Sequence, residues 1–136
     1  MKKEHLIITR EDFAFLTECY YSDYISVFNK AKLSEELRNA KIVISECLPS
    51  NVVRNNSNVL VCNINKIQTF NIHIVSHNGA NKKTNAIPIS DPLAIALLGY
   101  QTGAIAEWEM HDGINRFQII SVRQVNLDPV LNPFIA

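Results

Sequence analysis

The spacing of apolar positions changes near residue 48. Before it, Phe13, Leu16 and Tyr20 recur at steps of three and four, one face of a helix. Thr9 followed three residues later by Asp12 has the spacing of a helix N-cap, so the pattern predicts a helix over about 10–20. Leu33, Leu37, Ala40 and Ile44 then alternate steps of four and three, a coiled-coil-like seam. They predict a second helix over about 29–42. The connection between them, YYSDYISVF, is aromatic and holds no Gly or Pro to fix its shape. Two antiparallel helices facing each other through these seams make a short helical hairpin over 1–48.

Pro49 marks a boundary, and strand patterns follow. Residues 59–64 read as one strand, with Asn65-Lys66 as a turn. Phe70, Ile72 and Ile74 alternate with Asn71 and His73, so 67–76 is a half-buried strand. A polar loop, HNGANKKTN, leads into the stretch AIPISDPLAIALLGYQTGAIAEW. Ser90 or Asp91 can cap a helix there, and Pro92 suits its first position, where the missing N–H has no intrahelical partner to lose. Residues 93–98 are apolar on nearly every side, which predicts a buried helix, and Gly99 can end it. Residues 104–110 and 114–125 form strands around a His111-Asp112-Gly113 turn, and 126–136, with Pro129 and Pro133, is a tail. Strands with one short helix against their face define an α+β fold. The expected division is 1–48, 49–125 and 126–136.

Composition narrows the chemistry. The chain has 136 residues, 47% hydrophobic and 19% charged, enough for a core without covalent staples. Cys19, Cys47 and Cys62 are odd in number and lack C-x-x-C spacing, which points to reduced thiols in a cytoplasmic protein. No apolar run reaches membrane length, and the N-terminus does not read as a signal peptide. Thirteen bases balance thirteen acids, so nothing demands a phosphate-binding face. Lys82 and Lys83 read as solvated loop residues. A partner, if there is one, is a protein rather than sequence-specific DNA or a membrane. His73 and His77 sit four apart on a strand pattern, about 13 Å, too far for one metal. No nucleophile has a positioned base, and the glycines form no phosphate loop. Phe70, Tyr100, Trp108, Phe117 and Phe134 could wall a prolyl isomerase pocket, but a small core uses such rings anyway. The expectation is no catalytic residue, no metal and no cofactor.

SDPLAIALLGYQTGA is similar to the S-P-L-G-x-A-L-L-G-x-x-x-G-D signature of the C-terminal domain of the Gre transcript-elongation factors. The match is closer still to their short-armed Rnk relatives, the regulators of nucleoside diphosphate kinase. The flanks agree: LPSNVV at 48–53, Asn56 to Val59, Trp108-Glu109-Met110 and Gly113. The resemblance covers 48–125 well and the first 47 residues only in layout. It departs at Ala94, where the signature has Gly, and at Ala104, where it has Asp.

This resemblance implies an FKBP-like twisted antiparallel sheet wrapped on one helix. It also implies a protein that docks on RNA polymerase near the secondary channel, and by position it assigns the docking contacts to Ser90, Asp91 and Pro92. Gre factors carry paired carboxylates on a long coiled coil, which help the polymerase hold a second Mg²⁺ and cleave backtracked RNA. Here helices of about 11 and 14 residues would project only about 16–21 Å. Glu18 and Asp23 lie near the tip of that arm, too close to the docking domain to reach the catalytic metal, so no transcript cleavage is expected. A different class of function is a module that regulates a nucleotide-metabolism enzyme without polymerase. A prolyl isomerase is the third.

Overall fold

Local hydrogen bonds start each helix. In the computed structural model, which describes residues 5–76 and 85–124, strand β1 (Ile7–Thr9) runs directly into α1 (Arg10–Tyr20). The Thr9 hydroxyl accepts from the Asp12 N–H at 3.2 Å, the cap that the spacing suggests. Helix α2 (Val27–Asn39) begins at Ser26, whose Oγ accepts from the Asn29 N–H at 3.1 Å. It therefore starts and ends two to three residues earlier than the apolar seam predicts.

The seam breaks at Ala40, which is extended and ends α2. The following Lys41–Val43 is a strand, β2, in parallel register with β1, with Ile8 opposite Ile42. The run Ile42-Val43-Ile44 is β-branched and suits extended chain. Ile44, expected in the helical seam, is largely exposed. A 3₁₀ turn at Ser45–Cys47 leads on to the main sheet.

That sheet has five strands in the order β5-β4-β3-β7-β6. They are β3 (Ser57–Asn63), β4 (Gln68–Val75), β5 (Ala86–Pro88), β6 (Ile105–Met110) and β7 (Gly113–Gln124). Alternation puts Val59 and Val61 of β3, and Ala106 and Trp108 of β6, on the buried side. The sheet is mixed rather than wholly antiparallel, because β5 pairs with β4 in parallel. Helix α3 (Pro92–Leu97) lies in the core, with Ala94 to Leu97 all buried.

Leu6, Ile8, Leu16, Cys19, Ile25 and Leu33 belong to the same buried cluster as Val59, Ile74, Leu97, Trp108 and Ile119. Each fully buried aliphatic side chain contributes roughly 1.5–3 kcal/mol, so the helices and the sheet stabilise each other through one shared core. Polar ties reinforce the join. Lys41 N–H donates to Leu6 O at 2.8 Å, Ile7 N–H to Gly99 O at 3.1 Å, and Gly99 N–H to Val53 O at 2.9 Å. Asp12 is buried at the start of α1, where it accepts from the Asn55 backbone and faces Arg54. The polar loop around Lys82 and Lys83, together with His77, and the tail with Phe134 lie outside the described residues.

Candidate functional site

The lead-in to α3 is held rigidly. Ile89 N–H donates to Val75 O at 2.8 Å, and Asp91 N–H to Pro88 O at 2.9 Å. Of the two capping candidates it is Asp91 that acts: its Oδ1 accepts from the Leu93 N–H at 2.9 Å. Pro92 occupies the first turn and is exposed, while Ser90 and Asp91 are half-buried.

The connection between the helices, 21–26, turns back onto the sheet. Its Ile25 is 9% exposed and sits in the core, whereas Tyr21, Tyr24 and the adjoining Val27 are 75%, 66% and 86% exposed. Glu18, on the last turns of α1, and Asp23, in the connection, are both exposed. Tyr24, Ile25 and Ser26 line a cleft of about 270 Å³ with Pro92 and Ile95 of α3 and Trp108 to His111 of β6 and its turn. The fold thus brings Pro92 onto the same face as the segment that carries Asp23.

Two polar arrangements fix α2 to that face. The Asn29 side chain both donates to Glu109 O (3.0 Å) and accepts from Glu109 N–H (2.8 Å). One turn further, Lys32 Nζ donates to Glu36 Oε2 at 2.7 Å and to the Tyr100 hydroxyl at 2.9 Å. Tyr100 in turn donates to Glu36. The Lys32 ammonium also lies 5.0 Å from the Tyr100 ring centre and 5.5 Å from that of Trp108, positions that favour cation–π attraction. Burial lifts the Glu36 carboxyl above its ordinary range, against the pull of Lys32. The i, i+4 spacing of Lys32 and Glu36 was visible in the sequence; their meeting with Tyr100 was not, because 64 residues separate it from Glu36.

A second shallow groove, about 420 Å³, opens beside Lys32 between Phe28, Ile105 and Arg116. No group of three or more His, Cys, Asp or Glu suited to a metal occurs among the described residues. Cys19, Cys47 and Cys62 are free thiols. No helix among the described residues is long and apolar enough to cross a membrane.

Residues 48–124 match the family described as "Transcription elongation factor, GreA/GreB, C-term". The chain belongs to this family. It is similar to the transcription elongation factor GreA of Streptococcus agalactiae, 32% identical over 94 residues that cover 69% of this chain and 59% of the relative. GreA of Acetivibrio thermocellus is 29% identical over 93 residues, covering 68% and 58%. The chain thus spans less than two thirds of the length of these relatives. Among solved structures, the "Prokaryotic transcription elongation factor GreA/GreB from Nitrosomonas europaea" aligns with a TM-score of 0.61 at 26% identity, covering 89% of this chain and 99% of that one.

Proposed function

We infer that the protein is an RNA polymerase-binding regulator of transcript elongation, of the short-armed Rnk type within its family. The sheet with α3 acts as the FKBP-like docking domain. Ser90, Asp91 and Pro92 contact the polymerase near its secondary channel, and the helix pair forms a short antiparallel hairpin at the channel mouth. The protein works by occupancy: it competes with longer-armed factors for one site and does not itself stimulate cleavage. It is not an enzyme, needs no cofactor, and works in the cytoplasm.

One observation carries this reading. Helices of 11 and 13 residues, joined by six, are fastened to β6 through Asn29 and share the core of the sheet. An arm of about 16–20 Å that is bound to its own domain keeps Glu18 and Asp23 beside that domain. Stimulated cleavage needs carboxylates delivered to a second metal at the polymerase active centre.

Co-purification with core RNA polymerase tests the docking. Asp91→Arg reverses the charge and abolishes capture. Asp91→Asn keeps the capping oxygen but removes the charge, so it weakens capture while the melting transition stays in place. Undiminished capture of Asp91→Arg removes Asp91 from the contact set, and failure of the unaltered protein to bind rejects the reading.

A further inference from the structure

We propose that the edge of β6, where it runs beside α2, is a strand-addition site for an extended peptide segment of a partner protein, with an apolar residue and a Lys or Arg two positions apart. The inference is independent of the polymerase reading and concerns a different face from the start of α3.

Backbone parity along β6 fixes which groups face outward. The Glu109 N–H and carbonyl are bonded to the Asn29 side chain, so at this position the peptide groups point away from β7. That direction repeats at every second residue of an antiparallel strand. The N–H and carbonyl of Ile105 and Glu107 therefore point outward too, while those of Ala106 and Trp108 point to β7. Among the described residues, β6 ends its sheet and no other segment bonds Ile105 or Glu107. Asn29 thus covers one outward position and leaves two. They lie about 7 Å apart along the strand, the repeat that an added strand matches with its own backbone.

The flanks select the occupant. A groove of about 420 Å³ opens along this edge, with Phe28, Ala31 and Lys32 of α2 on one side and Ile105, Glu107 and Arg116 on the other. A helix beside a strand edge is the arrangement that seats an extended peptide in strand addition. The exposed row of β6 reads Ile105, Glu107, Glu109. Arg116 reaches Glu107 at 3.6 Å with both side chains about half exposed, a weak pair. Glu109 forms no ion pair with a described residue. The Lys32 ammonium is held by Glu36 and Tyr100. An incoming strand therefore gains by setting an apolar residue opposite Ile105 and a basic one opposite Glu107. A second copy paired two-fold through β6 would set Glu107 against Glu107 or against Ile105 within the strand, and neither is a favourable pair.

The experiment follows amide hydrogen exchange by NMR in the full-length protein, with a short synthetic peptide as probe. Valine and lysine alternate along one face of this peptide and threonine fills the other. In the free protein the Ile105 and Glu107 amides are expected to exchange fast and the Glu109 amide slowly; saturating peptide protects the first two. The same peptide N-methylated at alternate residues keeps its charge but loses its donors, and is expected not to bind. Glu107→Lys, at an exposed position, weakens binding about fivefold or more and turns the preference to a peptide with glutamate in place of lysine. Binding without protection of Ile105 and Glu107, or equal binding of the N-methylated peptide, overturns the proposal. Slow exchange of both amides in the free protein at every concentration also overturns it, because the chain then covers its own edge. Protection that grows with protein concentration overturns it in favour of a second copy.

Discussion

Asn29 and Glu109, eighty residues apart, exchange two hydrogen bonds: the Asn29 amide gives one to the Glu109 carbonyl and takes one from its N–H. The side chain does for this position what a neighbouring strand would do. Among the described residues, strand β6 ends its sheet and pairs only with β7, so this blunts that edge as well as holding α2. Asn29→Leu leaves both backbone groups without these partners in a half-buried place. The expected cost is about 2–3 kcal/mol, read as a lower denaturant midpoint. A midpoint shift of under about 0.5 kcal/mol would show that α2 is held by apolar packing alone.

Gly99 lets the N-terminal strand approach the domain. Its φ is +86°, and an added Cβ would stand 3.2 Å from Leu6 Cβ, beside the Ile7–Gly99 hydrogen bond. Gly99→Ala therefore meets both backbone strain and a crowded neighbour. A loss of about 2 kcal/mol is expected, measured by thermal unfolding; an unchanged melting temperature contradicts the close approach.

Ile67 carries a cost of the opposite kind. It is β-branched, 86% exposed, and held at φ +51° in the turn between β3 and β4. Asn56 and Asn85 occupy the same left-handed region, where asparagine is far better tolerated. Ile67→Asn is expected to raise stability by about 1 kcal/mol. A loss of stability would mean that the isoleucine side chain has packing that its exposure hides.

Protonation separates two kinds of carboxylate. Burial raises Glu36 above its ordinary 4.5, and burial likewise raises Asp12. The folded state takes up these protons before the unfolded chain does. Their contribution to stability is therefore full below the ordinary carboxylate range and is lost as pH rises through the raised native values. Asp112 has the opposite sign. Hydrogen bonds from Lys66 and Asn115 lower it to about 2, so its contribution is present above the ordinary 3.8 and disappears as pH falls through about 2. Glu36→Gln should thus flatten the gain in stability expected on acidification from neutral pH towards the ordinary carboxylate range. An unaltered pH slope would show that Glu36 is not the group taking up the proton.

Short-range signals in the sequence located what short-range forces build. The Thr9 cap and its apolar face place α1 over the ten to twenty range that the structure has. Asp91 and Pro92 mark the start of α3, and alternation along β4 finds its buried side. Helix α2 was misplaced because its cap, Ser26, hides in an aromatic run, and because Ala40 and Ile44 continue the apolar spacing after the helix has ended. The β1–β2 pair has three residues on each side and joins segments 34 apart, Ile7 with Lys41, so no local pattern announces it. The cleft is assembled from three separate stretches of chain. From sequence alone Pro92 could be nominated, but not its proximity to Tyr24 and Trp108.

The most direct measurement is RNA cleavage in arrested polymerase complexes, with and without the purified protein and with a longer-armed Gre factor added. A short helix pair fastened to its own domain should occupy the site without delivering acids to the metal. The expected result is no acceleration by the protein alone and slower cleavage by the longer-armed factor in its presence. Acceleration of cleavage by the protein alone would contradict the account.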